Sequence, residues 1–178
     1  MKTAKYVLRL SLTLLAITAF VALALAGVNQ VTASRIAEIK QEKMQSAMAQ
    51  VLPGATDLQA VAFEDATGLV KNMYACPEGY VVEVAPNGFG GVISMMVGIK
   101  ADKTVSGVCI VSHTETAGLG SIAAADTAAG NAFRNQFIGA SGSLAVDKDG
   151  GEIDAITSAT ITSRGVTDGV NAALACVG

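Results

Sequence analysis

The chain has 178 residues, of which 51% are hydrophobic and only 4% aromatic, and it carries a net charge of −3. Because it lacks a basic stripe and an aromatic stacking surface, the sequence does not favour nucleic-acid binding. Its three cysteines form neither a CxxC pair nor a zinc-ligand pattern, so the sequence predicts no metal or iron–sulfur site.

The first predicted element is a membrane span at residues 10–28, an apolar run interrupted only by Ser and Thr. At about 1.5 Å per residue, a helix of this length crosses the hydrocarbon core of a bilayer. Residues 24–26, Ala-Leu-Ala, would also offer a cleavage site for a secretory signal. The run is longer than the apolar part of most signals, so we predict an uncleaved anchor.

The second predicted element is an amphipathic connecting helix within residues 29–53. Its apolar residues recur at helical spacing on one face, opposite a charged face, and Pro53 and Gly54 end it. The apolar positions are Ile36, Ile39, Met44, Ala47, Met48 and Val51. We expect this face to pack on the following domain, and binding to a membrane surface is the alternative.

Residues 54–178 are long enough for one compact domain. Short apolar runs bounded by Gly, Pro, Asn and Asp predict a mostly antiparallel sheet. The predicted strands cover residues 60–63, 69–75, 80–85, 92–99 and 105–111. A helix at 122–138, closing strands at 144–146 and 153–156, and a C-terminal helix capped by Ser163 complete the prediction. The fold class is therefore α+β, with one N-terminal transmembrane helix and a mostly antiparallel sheet domain with packed helices.

The cysteines leave two alternatives open. Cys109 lies in an apolar run and is predicted to be a small buried side chain. Cys76 and Cys176 form a disulfide if the domain faces an oxidising compartment, and they stay reduced otherwise.

Two motifs carry the functional signal. The first, His113-Thr114-Glu115-Thr116-Ala117-Gly118-Leu119-Gly120, follows the last strand of the predicted sheet. The second, at residues 154–163, crowds small and hydroxylated residues behind Asp154 and precedes the C-terminal helix. A hydroxyl in such a segment is accessible to a phosphate, and a helix N-terminus favours an anion. No neighbouring His or Cys supplies a base, so a Ser/Thr hydrolase is not indicated.

The second motif resembles the flavinylation motif Asp-x-x-Ser/Thr-Gly-Ala-Thr, and the first resembles the His-x-Glu-Thr-x-Gly-Leu-Gly signature of the same FMN-binding domain family. Together, in this order and separation, they are similar to the G subunit of the Rnf complex, a membrane-bound ferredoxin:NAD oxidoreductase that pumps ions. The related C subunit of the sodium-translocating NADH:quinone oxidoreductase has the same domain. Two residues depart from the pattern, since Ser158 replaces the usual Gly and Ala117 the usual Pro.

The resemblance implies an electron-transfer subunit that carries FMN, joined to Thr160 by a phosphodiester, and no catalytic residue of its own. Motif residues Asp154, Thr157, Ser158 and Ala159 would surround the acceptor. The cofactor-binding residues implied are His113, Glu115, Thr116, Gly118, Leu119, Gly120 and Thr162. Glu115 and Thr116 would bond either the ring nitrogens or the loop backbone, and Leu119 would cover one face of the ring.

The resemblance also implies partners and a location. A flavin transferase using FAD and Mg²⁺ would attach the cofactor, and other membrane subunits of the Rnf-type complex would exchange electrons with it. Basic residues flank the predicted span equally, but Arg9 adjoins it directly. Together with the resemblance, this predicts residues 1–9 in the cytoplasm, a single-pass protein of the inner (cytoplasmic) membrane, and residues 54–178 as an FMN-binding domain outside.

Two alternatives belong to other functional classes. The chain would instead be a membrane-anchored module that binds without covalent attachment or serves only as a structural stalk. A self-contained flavin reductase would need an attached catalytic domain, which these 178 residues do not contain.

Overall fold

The computed structural model describes the backbone of residues 2–178 and the side chains of residues 5–178. Met1 and the Lys2 side chain, which belong to the predicted cytoplasmic segment, lie outside the described part. The chain divides into two compact units, Met1–Glu42 and Lys43–Gly178.

The first unit is helical. Helix α1 covers Lys2–Val51 and contains an 18-residue window with a mean hydropathy of 2.3, none of it buried. It is long and apolar enough to cross a membrane, as predicted. The predicted connecting helix at 29–53 is not a separate element, because α1 continues through it to Val51.

The apolar face predicted for this segment is buried only near its end. Ile36 and Ile39 are 60% and 42% exposed, whereas Ala47 and Val51 are buried. Packing on the domain therefore begins in the last two turns of α1.

The second unit is built on an antiparallel sheet with strands in sequential order. The strands are β1 (Gln59–Ala60), β2 (Val70–Cys76), β3 (Gly79–Val84), β4 (Ser94–Lys100) and β5 (Val105–Ser112). Four of them lie within about two residues of the predicted bounds, whereas β1 is only two residues long and shares only Ala60 with the predicted strand at 60–63. The α+β class is thus confirmed.

Both faces of the sheet are covered. Alternation along β3 places Val82 and Val84 in the main core, with helices α2 (Ala128–Asn135) and α3 (Thr160–Val177), and Val81 on the opposite face. That second face packs against the end of α1 through a cluster that includes Val51.

The end of α1 approaches the sheet very closely. Gly98 and Gly107 are paired across β4 and β5, and a Cβ at either position would press on the backbone of Val51. The hydroxyl of Ser106 donates a hydrogen bond to the Val51 carbonyl at 2.6 Å. The paired glycines therefore make room for the helix end, and Ser106 satisfies one of its last carbonyls.

Three predicted elements are wrong. The helix at 122–138 is two pieces, a short 3-10 helix at Gly120–Ala124 and α2, because Thr127 caps a new helix by accepting from the Gly130 N–H. The closing strands at 144–146 and 153–156 reduce to one parallel bridge between Val146 and Ile153. A 3-10 turn at Asp147–Asp149 occupies the space between them, so no ladder extends from the bridge.

The cysteines are free thiols in this structure. Cys76 packs on the face of the sheet that meets α1, whereas Cys176 packs on the main core at the opposite face. The two cannot form a disulfide in this fold. Cys109, predicted to be a small buried side chain, is partly buried, and its thiol lies 3.3 Å from Gln50 Oε1.

Candidate functional site

The two sequence motifs, which lie far apart in the chain, face each other across one cleft of about 380 Å³. One wall is the loop that follows β5, and the other is the first turn of α3. The cleft is lined by Phe89, Glu115, Thr116, Leu119, Gly120, Ser158, Ala159, Thr160, Ile161 and Thr162. Helix α3 packs against the sheet and thereby brings the second motif to the end of β5.

Thr160 is the first residue of α3 and is half-buried at the cleft. Within the described part of the chain, its hydroxyl forms no hydrogen bond. The neighbouring hydroxyls of Thr162 and Ser163 are buried and already bonded. Thr160 therefore presents the accessible hydroxyl of the first turn.

The N-terminus of α3 is open. Ala159 is the N-cap residue and forms no side-chain cap bond, and the first hydrogen bond of the helix runs from the Ser163 N–H to the Ala159 carbonyl at 3.0 Å. No backbone acceptor among the described residues meets the N–H groups of residues 160–162. Such free N–H groups, with the helix dipole, favour an anion.

The predicted N-cap role of Ser163 is wrong. Ser163 lies inside the first turn, where its hydroxyl accepts from the Ile156 N–H at 3.0 Å and donates to the Ala159 carbonyl at 3.1 Å. It ties the loop before Thr160 to the helix. Thr160 accordingly lies within α3 and not just before it.

Ser158 has the left-handed backbone conformation, with φ at 63°. The sequence singles out this position because the resembling motif has Gly here, and Gly adopts such a φ without a steric penalty. For Ser the conformation costs about 1 kcal/mol. The folded chain has this strained turn despite its energetic cost, and Thr160 follows the turn at the cleft.

Glu115 is a buried link between the two motifs, with 9% exposure. Its carboxylate accepts from the backbone N–H of Gly90 at 2.8 Å and of Phe89 at 3.3 Å. It also accepts from the hydroxyl of Thr162. The backbone that Glu115 bonds is that of the turn at residues 88–91, and not that of its own loop, which the resemblance implied as one of two roles.

His113 and Gly118 do not line the cleft. The Nδ1 of His113 accepts from the Glu115 N–H at 3.2 Å, and Gly118, at φ 76°, donates its N–H to Ser121 Oγ at 2.9 Å. Both residues shape the loop on which Thr116 and Leu119 reach the cleft.

Asp154 and Thr157 lie on a neighbouring groove beside α2 and not on the cleft. The backbone N–H and carbonyl of Asp154 are paired with the side-chain amide of Gln136 at 2.7 and 3.2 Å. The structure therefore separates these two motif residues from Ser158, Ala159 and Thr160.

Two cleft residues are absent from the sequence-based set, Phe89 and Ile161. Both are apolar and exposed, by 70% and 49%. Phe89 could have been recognised as the one side chain within the glycine-rich run 88–91, whereas Ile161 carries no signal in the sequence.

Ion pairs and a backbone hydrogen bond hold the segment before Thr160, and the charged residues that form them lie outside the cleft. Asp149 accepts two bonds of 2.6 Å from the Arg164 guanidinium, which lowers the pKa of Asp149. The pKa of Asp147 is lowered first by its bond to Lys148 and then by the Ala155 N–H. Among residues 5–178, whose side chains the structure describes, no Lys or Arg lines the cleft, so an anion there would depend on backbone N–H groups.

Residues 88–175 match the FMN-binding domain family. The chain is similar to the G subunit of the Na(+)-translocating ferredoxin:NAD(+) oxidoreductase complex of Acetobacterium woodii, at 35% identity over 94% of this chain and 89% of the relative. It is 37% identical to the proton-translocating counterpart of Clostridium ljungdahlii, over 90% and 86% of the two chains. The G subunit of the ion-translocating oxidoreductase complex of Methanosarcina acetivorans is 30% identical over 98% and 96%. These matches span the anchor and the domain alike, and the chain therefore belongs to the family of G subunits of ion-translocating oxidoreductase complexes.

Proposed function

We propose that this chain is the electron-transfer subunit of a membrane-bound, ion-translocating Rnf-type complex, and that it carries FMN joined to Thr160 by a phosphodiester. The observation that supports it most is the accessible Thr160 hydroxyl at the uncapped N-terminus of α3. The relatives named above differ in the ion that they translocate, so the proposal specifies none.

Attachment requires a transferase that supplies the flavin from FAD with Mg²⁺. The Thr160 oxygen forms a bond to the phosphorus of the FMN half, the phosphoanhydride breaks, AMP leaves, and the hydroxyl proton passes to a base of the transferase. Ser158 and Ala159 are small and leave the approach to Thr160 open. The N–H groups at residues 160–162 would then bond the phosphate oxygens.

The residues of the cleft fit such a group. The N-terminus of α3 offers donors to a phosphate, and apolar Phe89, Leu119 and Ile161 surround the space beside it. FMN, when bound, supplies reversible reduction, and the protein supplies its position and partial exclusion of water. Partner subunits of the complex would exchange electrons with FMN held in this cleft.

A second candidate is a membrane-anchored module that binds without covalent attachment or has only a structural role. The observation in its favour is Ser158, which stands at φ 63° where the attachment motif has Gly. If Ser at this position prevents the transferase from fitting the turn, Thr160 stays unmodified.

Intact and peptide mass measurements on the full chain, co-expressed with an active flavin transferase, test the proposal. We expect the Thr160 peptide to gain FMN less one water, and Thr160→Val to lose the gain while keeping a similar shape. Thr56→Val is the matched control, because Thr56 is exposed and lies outside both motifs and outside the cleft. Unmodified wild type, made beside a control substrate that is modified, would favour the second candidate.

A further inference from the structure

The turn at residues 88–91, here called the glycine turn, is held by several hydrogen bonds to its backbone. The Gly88 N–H donates to the Gly91 carbonyl at 2.8 Å, and the Thr114 hydroxyl donates to the Gly90 carbonyl at 2.9 Å. Glu115 accepts from the N–H groups of the two residues in the middle of the turn. A bridge between Asn87 and Val92 closes its base.

The glycine turn admits only one side chain. A Cβ at Gly88 would meet the Glu115 carboxylate, and a Cβ at Gly90 would meet the carbonyl of Thr114. Glycine at both positions thus permits the close approach on which these backbone bonds depend. Phe89 remains the only side chain of the turn.

Phe89 is 70% exposed, although its backbone N–H donates to the buried Glu115 carboxylate at 3.3 Å. It lines the cleft that contains Thr160, opposite the loop of Leu119 and the first turn of α3 with Ile161. Packing into a core does not explain this position, because the ring contributes little buried surface. An exposed aromatic side chain on a fixed backbone beside a cleft is typical of a ligand contact.

We propose that the flavin ring stacks on the ring face of Phe89, and that Glu115 is the positioning residue that holds Phe89 in place. This inference rests on the proposed attachment of FMN at Thr160. A flat heteroaromatic ring suits a rim of one aromatic and two aliphatic side chains, since aromatic rings prefer offset stacking. Glu115 acts through the glycine turn, and by binding Thr162 it fixes the turn relative to the acceptor helix.

The test uses the flavinylated full chain in detergent, with the loading measured by mass in every sample. We expect Phe89→Trp to lower flavin fluorescence several-fold, because an indole in contact with the ring quenches it by electron transfer. Val92→Trp is the control, since Val92 is exposed at the base of the same turn but does not line the cleft. It should leave the fluorescence unchanged.

A second readout is the visible circular dichroism of the flavin, which reports the surroundings of the ring. Phe89→Ala should change this spectrum and Phe89→Tyr should retain it. Glu115→Gln should shift the spectrum toward that of Phe89→Ala, and the double variant should show no further change, because the two residues act as a unit.

The outcomes separate this inference from the proposed function. Fully loaded Phe89→Trp and Phe89→Ala with wild-type flavin spectra would overturn the stacking while leaving attachment intact. Additive effects of Glu115→Gln and Phe89→Ala would overturn the positioning role. Absence of flavin on the wild-type Thr160 peptide would overturn attachment and stacking together.

Discussion

At the scale of single residues, the site depends on side chains whose roles differ although their types are similar. Five hydroxylated residues lie between positions 157 and 163, and three-dimensional context separates them. Thr162 and Ser163 are buried and hydrogen-bonded, Thr157 lies on another groove, and Thr160 faces the cleft at the uncapped end of α3. The motif resemblance predicts Thr160 as the acceptor, and among these residues its hydroxyl is the one that faces the cleft without a hydrogen bond in the described part of the chain.

Ser158 leads to a prediction at this scale. Ser158→Gly should raise the free energy of unfolding by less than about 1 kcal/mol, because Gly relieves the left-handed strain but loses more conformational entropy on folding. Thermal unfolding of the full chain in detergent, followed by circular dichroism, measures the change. Thr157→Gly is the matched control and should destabilise, since the residue does not have a positive φ. A Ser158→Gly variant less stable than wild type would contradict the strain argument.

At the scale of elements, the strands and the C-terminal helix followed the sequence, whereas the segments between them did not. Short apolar runs bounded by turn residues predicted the strands, because turn residues mark where a buried strand ends. The predicted helix at 122–138 broke at Thr127, which caps α2, and the buried guanidinium of Arg134 bonds the carbonyls of Ala123 and Ala125 in the break. Those contacts join residues about ten positions apart, which helical periodicity does not report.

The 3-10 turn at Asp147–Asp149 gives a pH prediction for the element that precedes Thr160. Because the pKa of Asp147 is lowered in the folded protein, its stabilisation is present above the usual value of 3.8 and is lost as pH falls through the lower folded value. Unfolding midpoints of wild type and Asp147→Asn should therefore differ near neutral pH and converge below about pH 4.

Denaturant unfolding over a pH series measures these midpoints. Glu152→Gln is the control, since Glu152 is exposed and forms no ion pair in the described part of the chain. A difference between wild type and Asp147→Asn that persists unchanged in acid would show that charge at Asp147 is not the cause.

At the scale of the whole molecule, the match to the relatives extends over both the apolar helix and the FMN-binding domain. We predict that the N-terminus is cytoplasmic and the domain lies outside. Protease added to sealed cells or spheroplasts should degrade residues 31–178, and an N-terminal tag should survive until the membrane is permeabilised. A domain shielded in sealed cells and cut only after permeabilisation would reverse the orientation.

The sequence by itself determined the local and repeated features of this protein. An apolar run interrupted only by Ser and Thr predicted the span, short apolar runs bounded by turn residues predicted the sheet, and two short motifs predicted the family. Each of these signals resides in neighbouring residues, whose spacing reflects which face is buried.

Only the tertiary structure decided how the two motifs meet. In the fold, Glu115 bonds both Thr162 and the glycine turn, and Phe89 lines the cleft. Asp154 lies on another groove, and Cys76 and Cys176 lie on opposite faces of the sheet. These relations depend on how α3 packs against the sheet. Such packing joins residues far apart in the chain, and no local pattern in the sequence encodes their distance.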